Sequence, residues 1–170
     1  MFYIFTDKLN KMLHVESFTF NPFSENTYLI YNDEKEAFLI DPGNMPDAET
    51  KVLADFIRSH ELKIKNILLT HAHIDHIIGL QWAYDAFQVP VLLHQDEMEI
   101  LEKAPFTAKN YGFFFPAFTG EIKHIKEGDE LQLGAEFFQI YDVPGHSPGS
   151  VAFYNKENEF VISGDALFMM

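Results

Sequence analysis

The sequence predicts a mixed α/β domain in which two β-sheets face each other and helices pack outside them. Three observations lead there. The chain opens with short alternating or apolar segments joined by tight polar turns, which read as antiparallel strands. Its middle alternates buried-type strands with amphipathic helices, and its last third returns to strands separated by Gly-containing turns. Strands, then strand–helix alternation, then strands again suggest two sheets. At 170 residues the chain is one domain by length, large enough to bury a core.

Taken in order, residues 1–11 stand apart and read as an N-terminal extension, with Met12 an alternative start; the domain occupies 12–170. Leu13 to Phe20 alternates, with one irregularity, and reads as a strand. Asn21-Pro22-Phe23-Ser24-Glu25-Asn26 is a turn. Thr27 to Tyr31 and Ala37 to Ile40 are strands joined by the polar turn Asn32 to Glu36. Asp41-Pro42-Gly43-Asn44 ends the third strand. Asn44 can cap a helix with Pro46 and Asp47 in its first turn, whose apolar face is Val52, Leu53, Phe56 and Ile57. Residues 64–69 form a buried strand, Gly79 to Phe87 a helix, Val89 to Leu93 another buried strand and Asp96 to Lys103 a helix.

Pro105 to Gly120 reads as a long loop, because Gly112 and Pro116 argue against a regular element. It carries Phe106, Tyr111, Phe113, Phe114, Phe115 and Phe118. These aromatics either form a satellite core beneath the loop, or line a cleft or the contact of a homodimer. Strands follow at 121–126, 130–133, 135–143, 150–154 and 159–163.

Composition narrows the function. The net charge of −14 argues against non-specific binding to nucleic acid or to an anionic membrane surface, since both need a basic patch. There is no Cys, which removes disulfides, thiolate ligands and cysteine nucleophiles together. Any metal must be held by His, Asp or Glu. No apolar run approaches membrane-spanning length, and a soluble, cytoplasmic protein is the default expectation.

The stretch that carries chemistry is Thr70-His71-Ala72-His73-Ile74-Asp75-His76, where the strand 64–69 ends. In an extended segment His71, His73 and Asp75 project to one side, and the chain must turn to bring in His76. Imidazole nitrogen and carboxylate oxygen are zinc-type ligands, and desolvating so many ionisable groups is costly unless a cation compensates them. Two later spots can complete a metal centre: His146 in the tight loop Val143-Pro144-Gly145-His146-Ser147-Pro148-Gly149, and Asp165 in Ser163-Gly164-Asp165-Ala166.

These motifs, in this order, resemble the metallo-β-lactamase superfamily, and within it the hydroxyacylglutathione hydrolase (glyoxalase II)-like branch. Asn21 to Tyr28 and Asp41-Pro42-Gly43 resemble its opening, and the likeness covers nearly all of residues 13–170. The resemblance implies a four-layer αββα sandwich with a two-metal site at one edge. It implies that His71, His73 and His146 hold one metal, that Asp75 and His76 hold the second, and that Asp165 bridges them, with Asp75 and Asp165 counted as catalytic. Zinc is the implied metal, two per chain, with iron or manganese as alternatives. Asp41 is expected to orient a ligand or to be a simple strand-end turn residue.

The implied activity is hydrolysis of a small-molecule thioester, a hydroxyacyl-thiol, or a related ester by metal-bound hydroxide, with a thiolate leaving group that needs no strong general acid. Two alternatives stay open. One is a mononuclear-iron persulfide dioxygenase-like enzyme with His71, His73 and Asp165 as ligands; the other is a metal-binding domain without catalysis. Lactonase or phosphodiesterase activity uses the same kind of centre. The sequence departs from the family in one respect. Family members continue past the Gly-Asp motif through a strand–helix region that supplies a further His to the second metal and contacts glutathione. Here no His follows Asp165. A C-terminally truncated member with a weakly held second metal is the expectation, and glutathione recognition is unsupported. His14, His60, His94 and His124 do not match the missing ligand; His94 ends a strand near where a cleft is expected.

Overall fold

A computed structural model describes residues 13–112 and 114–167. Residues 1–12, which include the expected N-terminal extension, Phe113 and residues 168–170 lie outside the described residues. The first sheet has six strands in sequential order: β1 (Leu13–Phe20), β2 (Glu25–Asn32), β3 (Glu36–Ile40), β4 (Lys63–Leu68), β5 (Val91–His94) and β6 (Ile122–Ile125). β1, β2 and β3 pair antiparallel through short turns. β3 to β6 are parallel, so each connection must cross over, and helices fill the crossovers. These are α1 (Ala48–Ser59), α2 (Ile74–Ile77), α3 (Leu80–Phe87) and α4 (Met98–Asn110). The second sheet is antiparallel, with β7 (Glu130–Leu133), β8 (Glu136–Asp142), β9 (Val151–Asn155) and β10 (Phe160–Ile162) in the order β10-β9-β8-β7.

Side-chain alternation divides the core in two. Ile30, Phe38, Ile40 and Leu68 face the second sheet, where Phe138, Ile140, Val151 and Phe153 meet them. Their chain neighbours Leu29, Leu39, Ile67 and Leu69 face the helices, against Leu53, Ile57, Leu80 and Leu101. The inner stretches of the central strands, such as Ala37 to Ile40 and Val91 to Leu93, are therefore apolar on both faces and read as short hydrophobic runs, while β4 keeps exposed Lys63 and Lys65 at its start. The described residues build three layers of the αββα sandwich. On the outer face of the second sheet Phe137, Tyr141 and Val161 stand exposed.

Three local expectations are corrected. α4 continues through Pro105 to Asn110, where a loop was expected. Leu101, Ala104 and Ala108 lie on one buried face spanning the proline, and that packing outweighs the roughly 3 kcal/mol that proline costs a helix interior. α1 starts at Ala48 with Asp47 at its N-cap; Asn44 is buried and donates instead to Thr50 Oγ1 at 2.7 Å. Of the expected apolar face of α1, Leu53 and Ile57 are buried but Val52 is 53% exposed. The aromatic group divides: Phe115 is buried and Phe118 packs on Tyr84, whereas Phe106, Tyr111 and Phe114 are exposed.

Candidate metal centre

Five of the six predicted ligand-type side chains, His71, His73, His76, His146 and Asp165, fall into groups of ligand atoms at one edge of the sandwich, delivered by connections from both sheets; Asp75 lies beside them against His76 and belongs to no such group. β4 ends at Leu68, the chain bends at Thr70, and His73 is again extended as it enters α2. The turn comes at Ile74, earlier than the alternation suggested, so Asp75 and His76 are both presented by the single turn of α2. His146 comes from the β8–β9 connection, and Asp165 from a 3-10 turn, Gly164–Ala166, after β10.

The His71 ring lies 4.7 Å from that of His73, 4.2 Å from that of His76 and 4.9 Å from that of His146, centre to centre. His73 Nδ1 and His146 Nε2 are 2.8 Å apart. His76 Nε2 faces Asp165 Oδ1 at 3.3 Å and Asp75 Oδ2 at 3.6 Å, while Asp165 Oδ2 lies 3.5 Å from His146 Nε2. Two groups of ligand atoms result, His71–His73–His146 and His71–His76–Asp165, each within 4.8 Å of one another. The carboxylate of Asp165 sits between them.

The chemistry of this set fits a cation. His71 Nε2 is buried without a hydrogen-bond partner. Burial, reinforced by His76 and His73, pushes the basicity of His71 down to about 2, so its ring is neutral and keeps a lone pair for a metal. Burial and then His146 likewise lower His73. Burial opposes a charge on His76, but hydrogen bonds to Asp165 and Asp41 outweigh it and raise its pKa to about 11. In return His76 holds the Asp165 carboxyl below its usual range.

Asp41 holds this arrangement from beneath. It accepts from the Thr70 N–H at 2.7 Å and the Thr70 hydroxyl at 2.6 Å, and faces His76 Nδ1 at 3.1 Å. It thus orients the imidazole whose other nitrogen points at Asp165 and Asp75. Asn21 Nδ2 donates to the carbonyls of Gly43 and Asp75 and ties the first turn to the motif. Gly43 is required by space: a Cβ there would lie 2.1 Å from Glu25 Oε2 and 2.3 Å from the Asp75 carbonyl.

Sequence reasoning missed two buried acids. Glu25 adjoins His76 Nδ1 at 3.9 Å, and burial pushes its carboxyl up to about 10. With Asp41 and His76 it forms a third group of ligand atoms. Its signal was strand phase, since Glu25, Thr27 and Leu29 alternate onto one buried face. Glu97 is buried at the end of a 3-10 turn, Gln95–Glu97. Its signal was helical phase, because 97, 101, 104 and 108 share one face. The remaining histidines stay out of the cluster. His14 stacks on Tyr31, His60 caps α1 against Phe56, His124 is exposed on β6, and His94 abuts the loop that carries His146.

A cavity of about 390 Å³ opens beside the cluster, walled by Phe23, Glu25, Tyr28, Asp75, His76 and Asp165. Tyr111 packs edge-on against Phe23 at its rim, 5.4 Å between ring centres.

The sequence pattern described as the Metallo-beta-lactamase superfamily matches residues 20–170. The chain belongs to the metallo-beta-lactamase superfamily. Within it, the chain is 36% identical over 148 residues to the probable metallo-hydrolase YqgX of Bacillus subtilis, covering 86% of this chain and 68% of that one. It is 32% identical over 158 residues to the hydroxyacylglutathione hydrolase GloC of Haemophilus influenzae, covering 92% and 73%. Among solved structures it resembles TTHA1623, crystallised in a di-iron-bound form, with 38% identity, a TM-score of 0.77, and 91% and 73% coverage. The chain is thus a superfamily member with glyoxalase II-like relatives and spans part of their length. Among the described residues no helix is long and apolar enough to cross a membrane.

Proposed function

We propose that this chain is a metal-dependent hydrolase of a small thioester, a hydroxyacyl-thiol, or a related ester. The observation that carries the reading is the Asp165 carboxylate, with one oxygen facing His76 and the other His146, between two groups of inward-facing ligand atoms. His71, His73 and His146 would hold one cation; Asp75 and His76 would hold a second; Asp165 would serve both. Bound divalent cations supply Lewis-acid chemistry, lowering the pKa of water and polarising an acyl carbonyl. The chain's own residues do the rest. Asp41 fixes the His76 ring so that Nε2 is aimed at the centre. Asp165 offsets the repulsion of two cations. Phe23 and Tyr28 line the cavity and would offer the substrate an apolar surface. A thiolate leaves without a proton, so no general acid is required of these residues.

The relatives support the hydrolase class, and the one named a hydroxyacylglutathione hydrolase supports a thioester. A single-iron centre on His71, His73 and Asp165 uses one face of Asp165 and leaves Asp75 and His76 without a role, so the geometry favours the dinuclear reading. Zinc is the metal we propose; the di-iron form of a relative makes iron the comparison to run. The test is metal content of protein purified without added metal, alongside chelator-sensitive turnover of a generic thioester. Close to two equivalents, with His71→Ala inactive, is the expected result. One equivalent overturns the dinuclear reading, and a His71→Ala variant as fast as wild type overturns the hydrolase itself.

A further inference from the structure

Glu97 belongs to none of the ligand groups, yet it touches both loops that carry the first-site histidines. It is completely buried, 0% exposed. Its Oε2 accepts the Ala72 N–H at 2.8 Å, and Ala72 lies between His71 and His73. Its Oε1 accepts the Gly149 N–H at 2.7 Å and the hydroxyl of Ser147, the residue after His146. We infer that Glu97 is a positioning residue: by gripping both loops it sets the spacing of His71 and His73 against His146, and with it the affinity of that trio for a metal.

The two loops belong to different sheets, so no strand ladder fixes their separation. One backbone bond, from the Val151 N–H to the Thr70 carbonyl at 2.9 Å, joins them directly. Glu97 adds three more bonds on one rigid group. Its position shares a helical face with Leu101, Ala104 and Ala108, where an apolar side chain would suffice for packing. A buried carboxylate there is costly unless donors converge on it, and three do. The approach is tight: a Cβ on Gly149 would lie 2.7 Å from His94 Nδ1 and 3.0 Å from Glu97 Cγ. A carboxylate offers acceptors on both oxygens. A glutamine offers one acceptor and one NH₂, so one backbone N–H, of Ala72 or of Gly149, must face a donor and be pushed away.

The inference rests on the metal-centre reading, and the experiment separates the two. Co²⁺ is titrated into the metal-free full chain, followed by the visible absorption of the bound ion and by chelator competition. Glu97→Gln is expected to bind 10- to 100-fold more weakly, the loss typical when a group supporting a ligand is removed. Gly149→Ala keeps the carboxylate but drives the His146 loop off it, so it is expected to weaken binding as well, and it decides the matter should Glu97→Gln fail to fold. Leu101→Ala destabilises the same helix but keeps the Glu97 carboxylate and its three donors, and should bind as wild type does. Wild-type affinity in a folded Glu97→Gln, or in Gly149→Ala when Glu97→Gln does not fold, would overturn the inference. Wild-type protein that takes up no Co²⁺ would instead overturn the metal-centre reading itself.

Discussion

Replacing Asp41 by Asn tests the second half of the centre more directly than the first. Asp41 accepts from both the N–H and the hydroxyl of Thr70, and its Oδ2 faces His76 Nδ1 at 3.1 Å. A carboxylate there keeps a proton on Nδ1, so that Nε2, which faces Asp165 and Asp75, is the nitrogen that gives up its proton when a metal binds. The amide keeps one acceptor. If that oxygen stays on the Thr70 N–H, the NH₂ faces the Thr70 hydroxyl, which rotates to accept, and His76 Nδ1, which must then lose its proton. The His76 proton moves to Nε2, the atom needed for a metal. The expected loss at the second site is 10- to 100-fold, or about 1.4–2.8 kcal/mol. His73 and His146 make no hydrogen bond with Asp41, and His71 meets it only through the Thr70 hydroxyl, 3.1 Å from His71 Nδ1, so the first site is expected to lose less affinity than the second.

The assay is stepwise metal titration of the metal-free chain with a chromophoric chelator, which resolves two binding steps. Wild type should show two, the second weaker; Asp41→Asn should keep the first and lose or weaken the second. Circular dichroism checks the fold, because Thr70 is buried and its lost partner costs about 1 kcal/mol of stability by itself. Two unchanged binding constants in a folded Asp41→Asn would refute the reasoning about His76. Equal loss of both would show that Asp41 acts on the whole loop.

The metal-free protein should be most stable at about pH 4.5–6.5. His71, depressed from 6.5 to about 2, costs stability as pH falls below 6.5, because only the unfolded chain takes up its proton. His76, raised from 6.5 to about 11, contributes stability that is present below 6.5 and lost as pH climbs towards 11. Glu25, raised from 4.5 to about 10, is protonated when folded and costs stability from 4.5 upward, so between 4.5 and 6.5 it offsets the His71 slope. Urea midpoints that rise steadily from pH 5 to 9 would contradict these assignments. In the aromatic segment the two neighbours should part: Phe115→Ser loses a buried ring and roughly 3–5 kcal/mol, whereas Phe114→Ser, at 93% exposed, should leave thermal stability unchanged. Equal melting temperatures for both would refute that placement.

Much of this was legible in the sequence because the informative residues are local. H-x-H-x-D-H places four ligand-type side chains in six residues, and the Pro/Gly loop and the Gly-Asp turn announce themselves by breaking strands. The central strands were legible because burial on both faces keeps their inner stretches, Ala37 to Ile40, Ile67 to Leu68 and Val91 to Leu93, apolar. What escaped was non-local. Pro105 signals a helix end by its own geometry, and only the packing of Leu101, Ala104 and Ala108 explains why the helix continues. Glu97 looks like an ordinary acid before a helix; its role depends on Ala72 and Gly149, 25 and 52 residues away. Glu25 sits in a segment that reads as turn, and its burial follows from Asp41, Gly43 and His76, which distant segments bring against it.

The centre also bears on the stability of the fold, because its ligands come from both sheets. His71, His73, Asp75 and His76 follow β4 of the first sheet; His146 and Asp165 follow β8 and β10 of the second. At this edge, backbone joins the sheets through the Val151 N–H to Thr70 carbonyl bond, and Glu97 adds side-chain bonds. A cation shared by these ligands binds the native arrangement and finds no comparable site in the unfolded chain, so its binding free energy adds to stability. At a free metal concentration of 100 times its Kd the gain is about 2.7 kcal/mol. For a domain of this size that corresponds to a rise in Tm of roughly 5–11 °C. Differential scanning calorimetry of metal-free and metal-loaded protein measures it. His146→Ala, which cuts one cross-sheet ligand, should lose most of the metal-induced rise. An unchanged Tm on loading, or a full rise in His146→Ala, would mean that the metal does not join the two sheets.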